Sequence, residues 1–439
     1  MGEPGKEFGG TPGNIGLMIF SHVLPFYFCL SLKYSSGGIY WPSSFADFFI
    51  DFKNCCTPTI TAFLVYIGFF LIQLFFAAFL PGLKVKGLPV PTENNFQYSY
   101  NCNALYSWYL SLILAAVVHI TGIFPLTYLA NNFGSILCCS VIFSDILSVI
   151  IHFYALKTNQ TCRMSNEFIY DFFMGVWLNP SIWIANRRVD LKMFAEVRLS
   201  WLLLFFLIMS AAVKQYELYG YISLPMIFLL TAQFLYVNAI MKGEECIVTT
   251  WDIFYEKWGW MLIYWNLAGV PFVYAFHAYY ILENSKENQQ NSSVPFILLL
   301  FIILFGAYYI WDSAQSQKNR FRAKQRGIYV ARNTFPQLPY GTLDNPKYLK
   351  TQAGDSLLID GWWKYARKIH YTADICMAFC WAVSCYQTPG ILPYFYPVFF
   401  TSMILHRYQR DMERCQQKYG NDWKIYCKKV PYAFIPGLI

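Results

Sequence analysis

Eight stretches of this 439-residue chain are long and apolar enough to cross a bilayer: those near residues 14–32, 59–80, 104–126, 134–156, 197–213, 221–241, 259–282 and 294–312. A ninth apolar region, 375–405, is longer and is interrupted by Gln-Thr-Pro-Gly at 387–390, so it reads as two shorter helices forming a hairpin. The expected fold is therefore an all-α polytopic membrane protein of about ten transmembrane segments. Composition agrees, with 56% hydrophobic and only 13% charged residues where soluble chains carry about 25% charged. Disordered, collagen-like, coiled-coil and disulfide-framework classes are excluded.

The thirteen cysteines follow no regular spacing and form neither a CxxC nor a Cys/His zinc pattern. Most, such as Cys138, Cys139, Cys376, Cys380 and Cys385, sit in apolar runs and read as reduced core residues, with no metal site. The N-terminus lacks the basic-then-apolar plan of a signal peptide, and Lys6 stands where myristoylation of Gly2 would want Ser or Thr.

The net charge of +8 is unevenly placed. Residues 313–372 hold 11 Lys/Arg and 3 acids, and residues 406–439 hold 7 and 3. Both blocks flank the hairpin on one side of the membrane, which the positive-inside rule makes cytoplasmic. Counting back over eight spans puts both termini and the 157–196 and 242–258 loops on that side. The sequon at Asn159 is then cytoplasmic and silent, and the one at Asn291 lies close to the next span. Composition shifts at about residue 313. The division expected is an eight-span bundle over 1–312 and a C-terminal cofactor region over 313–439, its pocket open to the cytosol.

The run QKNRFRAKQR (317–326) would serve as a stop signal or an anionic-lipid patch. However, Lys318 and Arg322, spaced i, i+4, share a helix face and suit one phosphate. Basic and aromatic residues then alternate in WWKYARKIHY (362–371), HRYQRDMERCQQKYG (406–420) and DWKIYC (422–427). Cations for phosphates and ring faces for bases are what a nucleotide cofactor requires. No GxGxxG or P-loop pattern occurs, and the aromatic spacing fits no nucleic-acid module. A non-Rossmann cofactor pocket in a membrane bundle implies a lipid-soluble substrate entering from the bilayer. Acids in or beside spans mark function or buried pairing: Asp145, Asp171, Glu244, Glu245, Asp252 and Asp374. Asp374 is best placed, directly after the aromatic-basic block.

YDFFMGVWLNP (170–180) and LLIDGWWKYARKIHYTAD (357–374) resemble the two signature regions of the sterol reductase family, which includes the delta-14 and delta-7 reductases and the reductase half of the lamin B receptor. The resemblance runs from EFGG (7–10) to VPYAFIPG (430–437). It is strongest to the fungal delta-24(28) branch of ergosterol synthesis, through EFGGTPG (7–13), DLKMFAEVRLSW (190–201), KGEECIVTTWDIFYEKWGWMLIYWNLAGVP (242–271) and His370. One departure is Ser181 after Asn179-Pro180, where the family usually has Arg; Arg187 and Arg188 follow later. The resemblance implies NADPH, contacted by Lys318, Arg322, Leu358, Trp363, His370, Tyr371, Asp411, the stretch Cys415, Gln416, Gln417, Lys418 and Tyr419, and Tyr426. It also implies an endoplasmic reticulum membrane protein. Its partners would be a sterol, the bilayer and other ergosterol-pathway enzymes.

An alkene without an activating carbonyl must be protonated before hydride can add. For a methylene on carbon 24, protonating carbon 28 leaves a tertiary cation at carbon 24. The expected acids are Asp374 and Tyr371 first, then Glu244 or Glu245, with His370 as a relay. Three alternatives stand beside this reading. One is reduction at delta-14 or delta-7. Another is an isoprenylcysteine-type methyltransferase, suggested by the Tyr-Gly, Trp and Val-Pro-Tyr spacing of the tail. The third is a non-catalytic sterol-binding scaffold, for whose soluble N-terminal domain a first span near residue 14 leaves no room.

Overall fold

Apolar backbone that is to sit in hydrocarbon must satisfy its own N–H and C=O groups, and a helix does so locally. The computed structural model describes residues 6–286, 293–331, 334–388 and 390–438. Gly2, Asn291 and Pro389 of the hairpin break lie outside the described residues. Among the described residues, six helices are long and apolar enough to span a membrane: Glu7–Ser35, Ile60–Phe79, Phe133–Lys157, Leu191–Tyr219, Leu224–Lys242 and Val294–Gln325. Two shorter apolar helices, Ala104–Ile120 and Ile369–Val383, accompany them. The protein is thus mostly helical, multi-pass in character, and without a closed sheet among the described residues.

The all-α expectation needs one amendment. Among the described residues, three two-stranded antiparallel sheets occur: Leu83–Lys86 with Ser99–Cys102, Ser181–Ile184 with Arg187–Asp190, and Tyr348–Lys350 with Ser356–Leu358. Their strands are too short to leave a readable alternation in the sequence. The second hairpin turns through Ala185 and Asn186, both at positive φ (46° and 61°), as the tight turns matched to strand twist require.

Two apolar runs are also less regular than expected. The helix Leu191–Phe194 enters Ser200–Tyr219 through a π-helical turn, Ala195–Leu199. The run 259–282 breaks into Trp260–Tyr264, a π turn Trp265–Gly269, Val270–Val273 and Phe276–Glu283. Pro271 cannot donate to the ladder, and a Cβ at Gly269 would lie 2.3 Å from the Trp265 ring.

The chain folds as two compact units, one of residues 1–226 and 237–286, the other of 227–236 and 287–439. The first is cored by Ile151, Phe194, Leu199, Trp258, Ile263 and Leu267. In the second, the helix Val294–Gln325 carries an exposed apolar stripe, Leu298, Leu299, Ile302 and Phe305, suited to lipid. Residue 313, where composition shifts, falls inside this helix. The hairpin consists of Ile369–Val383, a short turn Leu392–Tyr394 and Phe395–Tyr419. Both helices outrun the apolar sequence. His370, Tyr371 and Asp374 therefore sit in the opening turns of one, and Asp411 to Tyr419 close the other.

Candidate active site in the second unit

The site is assembled on three helices of the second unit and on the strand Ser356–Leu358. After that strand the Asp360 carboxylate accepts from the Lys347 and Gly361 N–H groups at 3.0 and 2.8 Å, capping the short turn Gly361–Lys364. Gly361 is at φ +59° and a Cβ there would stand 2.3 Å from Gln317 Oε1, so only glycine fits. This turn sends Trp362 Nε1 to Ser313 Oγ and Trp363 Nε1 to the Ala314 carbonyl, both at 2.8 Å. Trp363 packs with Phe321 and Leu358, which is the place the structure gives Leu358.

The Lys318 ammonium lies 4.3 Å from the centroid of the Trp363 ring, within cation–π range. One turn on, Arg322 is exposed. His370 stands 5.0 Å from Trp363 and 4.3 Å from Tyr371, centroid to centroid. His370 Nδ1 is buried with no hydrogen-bond partner among the described residues. Lys368 pairs with Asp411 at 2.5 Å, and Arg414 reaches the other Asp411 oxygen at 3.0 Å. Burial pushes the Asp411 carboxyl up, but the charge and hydrogen bond of Lys368, with Lys318 and Arg414, hold it well below the usual carboxylate range. Cys415 Sγ lies 3.9 Å from Asp411 Oδ2.

Further along that helix, Lys418 and Tyr419 both engage Asp355. Burial opposes ionisation of Asp355, yet the Lys418 contact draws its carboxyl down. Tyr426 belongs to an apolar cluster with Leu357, Trp423 and Val430, against which Cys415 and Tyr419 pack. Gln416 and Gln417 point outward and are exposed. Arg367 pins the last segment by donating to the Val430 and Pro431 carbonyls at 2.6 and 2.7 Å.

On the hairpin helix, the Asp374 carboxyl accepts side-chain hydrogen bonds from Tyr236 and Trp311. Tyr236 stacks on Trp311 (5.0 Å, 22°) and meets Trp381 edge-on at 5.4 Å. Tyr236, Trp311 and Lys368 were not singled out in the sequence. The two aromatics sit mid-run among many others, and nothing local marks them as partners of an acid some sixty residues or more away.

Other acids singled out in the sequence lie in the first unit. Glu244 accepts from Ala104 N–H at 2.7 Å and from Arg198 at 2.8 Å. Arg198 also binds Ser107 Oγ and Asn103 Oδ1. This buried network caps the helix Ala104–Ile120, which commits Glu244 to holding the fold. Glu245 is half-buried in the short helix Glu244–Ile247. Asp145 takes bonds from Trp260 (2.8 Å) and His22 (3.1 Å). Asp171 accepts from the Ser165 and Asn166 N–H groups. The arginines after Ser181 are likewise structural, with Arg187 on the Ala78 and Phe79 carbonyls and Arg188 on Asp190.

The geometry is a cation-rich, aromatic-walled region beside a half-buried acid, in a helical membrane protein. The profile of the ergosterol biosynthesis ERG4/ERG24 family matches residues 3–439. The delta(24(24(1)))-sterol reductase erg4A of Aspergillus fumigatus is 40% identical over 439 residues, covering 98% of this chain and 92% of the relative. A delta(24(24(1)))-sterol reductase of Gibberella zeae is 41% identical, covering 99% and 73%. A delta(14)-sterol reductase of Dictyostelium discoideum is 34% identical, covering 100% and 93%. With similarity that takes in both compact units and both signature regions, the chain belongs to the ERG4/ERG24 family of sterol reductases.

Proposed function

We propose that the protein reduces the delta-24(28) methylene of a sterol in the last step of ergosterol synthesis, with NADPH as reductant. The observation that carries the reaction type is one helix, Ile369–Val383. It bears His370 and Tyr371 toward the cationic wall and Asp374 within a cage of Tyr236 and Trp311. The position reduced rests on the two fungal relatives, at 40% and 41% identity against 34% for the delta(14) enzyme.

The donor set fits a dinucleotide phosphate. Lys318 and Arg322 would take phosphate charge, with Lys368 and Arg414 held close by through Asp411. Trp363, His370 and Tyr371 offer ring faces, and the unpartnered His370 Nδ1 offers a polar contact. NADPH, when bound, supplies the hydride.

The chain's own residues handle the proton. Protonated Asp374 gives it to carbon 28 of the alkene, and a proton from solvent, passed through the hydrogen-bonded Tyr236 phenol, restores the carboxyl. The faces of Tyr236, Trp311 and Trp381 stabilise the positive charge that forms at carbon 24. They also keep water from capturing it. The bundle has about ten spans, counting the hairpin helices and the broken 259–282 run. It sits in the endoplasmic reticulum membrane with both termini cytoplasmic, so that the basic second unit meets soluble NADPH.

Expression in cells lacking delta-24(28) reductase, followed by sterol profiling, tests the reading. Loss of the 24-methylene sterol is expected; its persistence with the protein present in the membrane overturns it. Parallel strains lacking delta-14 or delta-7 reductase separate the other family reactions.

A further inference from the structure

The reductase reading leaves one side-chain cluster of the first unit unused. Cys29, on the helix Gly10–Ser35, meets the adjacent pair Cys55 and Cys56 that ends the helix Phe45–Cys56. The three sulfur atoms lie within 4.8 Å of one another, and Cys29 Sγ is 2.9 Å from Cys55 Sγ. Cys29 and Cys56 are 5% and 1% exposed. The helix Phe133–Lys157 closes the cluster through Gly134, where a Cβ would stand 2.1 Å from the Cys55 carbonyl oxygen and 2.9 Å from Cys29 Sγ. Lys33 donates to the Asn54 carbonyl at 2.6 Å, one residue before Cys55, which sets a positive charge beside the thiols.

Packing alone does not call for three sulfurs at one point. A disulfide would use two and strand the third. A thiolate-bound ion uses all three: at a metal–sulfur length of about 2.3 Å, ligand sulfurs in trigonal or tetrahedral arrangement lie about 3.8–4.0 Å apart, within the 4.8 Å limit of the cluster, and the 2.9 Å Cys29–Cys55 contact opens by about 1 Å to admit the ion. Sulfur ligands select soft ions. We propose that Cys29, Cys55 and Cys56 form a three-thiolate site for a soft d10 cation, Zn2+ or Cu+. Binding releases the three thiol protons to solvent, and Lys33 offsets the excess negative charge. No spacing in the sequence showed the site, because Cys29 is far along the chain from its partners.

The test uses the full-length protein purified in detergent under reducing conditions, stripped with chelator and reloaded separately with Zn2+ or Cu+. Metal is counted by mass spectrometry after gel filtration, and X-ray absorption reads the ligand shell. One ion per chain and a shell of three sulfurs at about 2.3 Å are expected, and whichever ion is retained identifies the cation. Cys29→Ser, Cys55→Ser and Cys56→Ser should each weaken binding by about tenfold or more, while Cys162→Ser leaves it unchanged. The ion should raise the melting temperature of the wild type and not that of Cys56→Ser, a comparison made within each folded sample. Binding far below one ion per chain, a nitrogen or oxygen shell, equal binding by all variants, or a Cys29–Cys55 disulfide in unreduced protein overturns the proposal.

Discussion

The two compact units treat charge in opposite ways. In the first, buried ionic groups are closed into pairs and networks: Arg198 with Glu244, Arg188 with Asp190, and Lys257 4.0 Å from Asp171. Each of these satisfies a helix end, a hairpin or a loop. In the second, cations gather around a few acids, with Lys368 and Arg414 both on Asp411 and Lys318 against Trp363. Closed pairs stabilise a scaffold only through good mutual geometry. A surplus of positive charge on aromatic faces is what the proposed binding of an anionic cofactor would use.

The sharpest way to break this contrast is to remove the acid on the second unit's hairpin helix. Asp374→Asn should lower turnover by roughly 100-fold or more, the lower range for a lost general acid, while NADPH binding followed by fluorescence stays near wild type. Unchanged turnover would remove Asp374 from the chemistry. In the first unit, Arg198→Ala should act on stability instead. It leaves Glu244 buried without its cation, at a cost of about 3–5 kcal/mol, seen as a lower melting temperature in detergent.

A smaller effect separates binding from chemistry. Lys318→Ala should raise the KM for NADPH about tenfold, the scale of one charged contact, with little change in kcat. An equal fall in kcat would instead make Lys318 part of the reacting centre. The pH response of stability is smaller again. The carboxyls of Asp411 and Asp355 both titrate below the ordinary value of 3.8. Their stabilisation is therefore fully present above that value and is lost as pH falls through the lowered ones. Melting temperature should be flat from about pH 7 to 5 and decline below about 4, and Asp411→Asn should flatten part of that decline. The least effect is expected for Lys418→Ala, whose partly exposed pair with Asp355 is worth at most about 1 kcal/mol.

Much of this contrast was legible before any coordinates. Apolar length marked the helices, and the 387–390 interruption marked the hairpin. The alternation of Trp, Lys, Arg, His and Tyr in 362–371 runs along one wall of the candidate site. What escaped was reciprocal pairing. Asp411 was visible as a residue, yet its partner Lys368 lies 43 positions earlier. The acid Asp374 stood out, but the phenol and indole that bind it did not. Glu244 read as a candidate proton donor in the sequence, whereas Arg198 and the Ala104 N–H occupy it in the structure.

Hydropathy and charge placement act locally along the chain, because a bilayer reads each run of residues by its own transfer free energy. The sequence by itself thus determined the membrane class, the order of the apolar segments and the basic character of the C-terminal region. Hydrogen bonds and ion pairs are satisfied only at about 3 Å, by groups that chain folding brings together. For that reason only the tertiary structure decided which acid is committed to the scaffold, which is caged by aromatics, and that the Cys29 thiol meets those of Cys55 and Cys56.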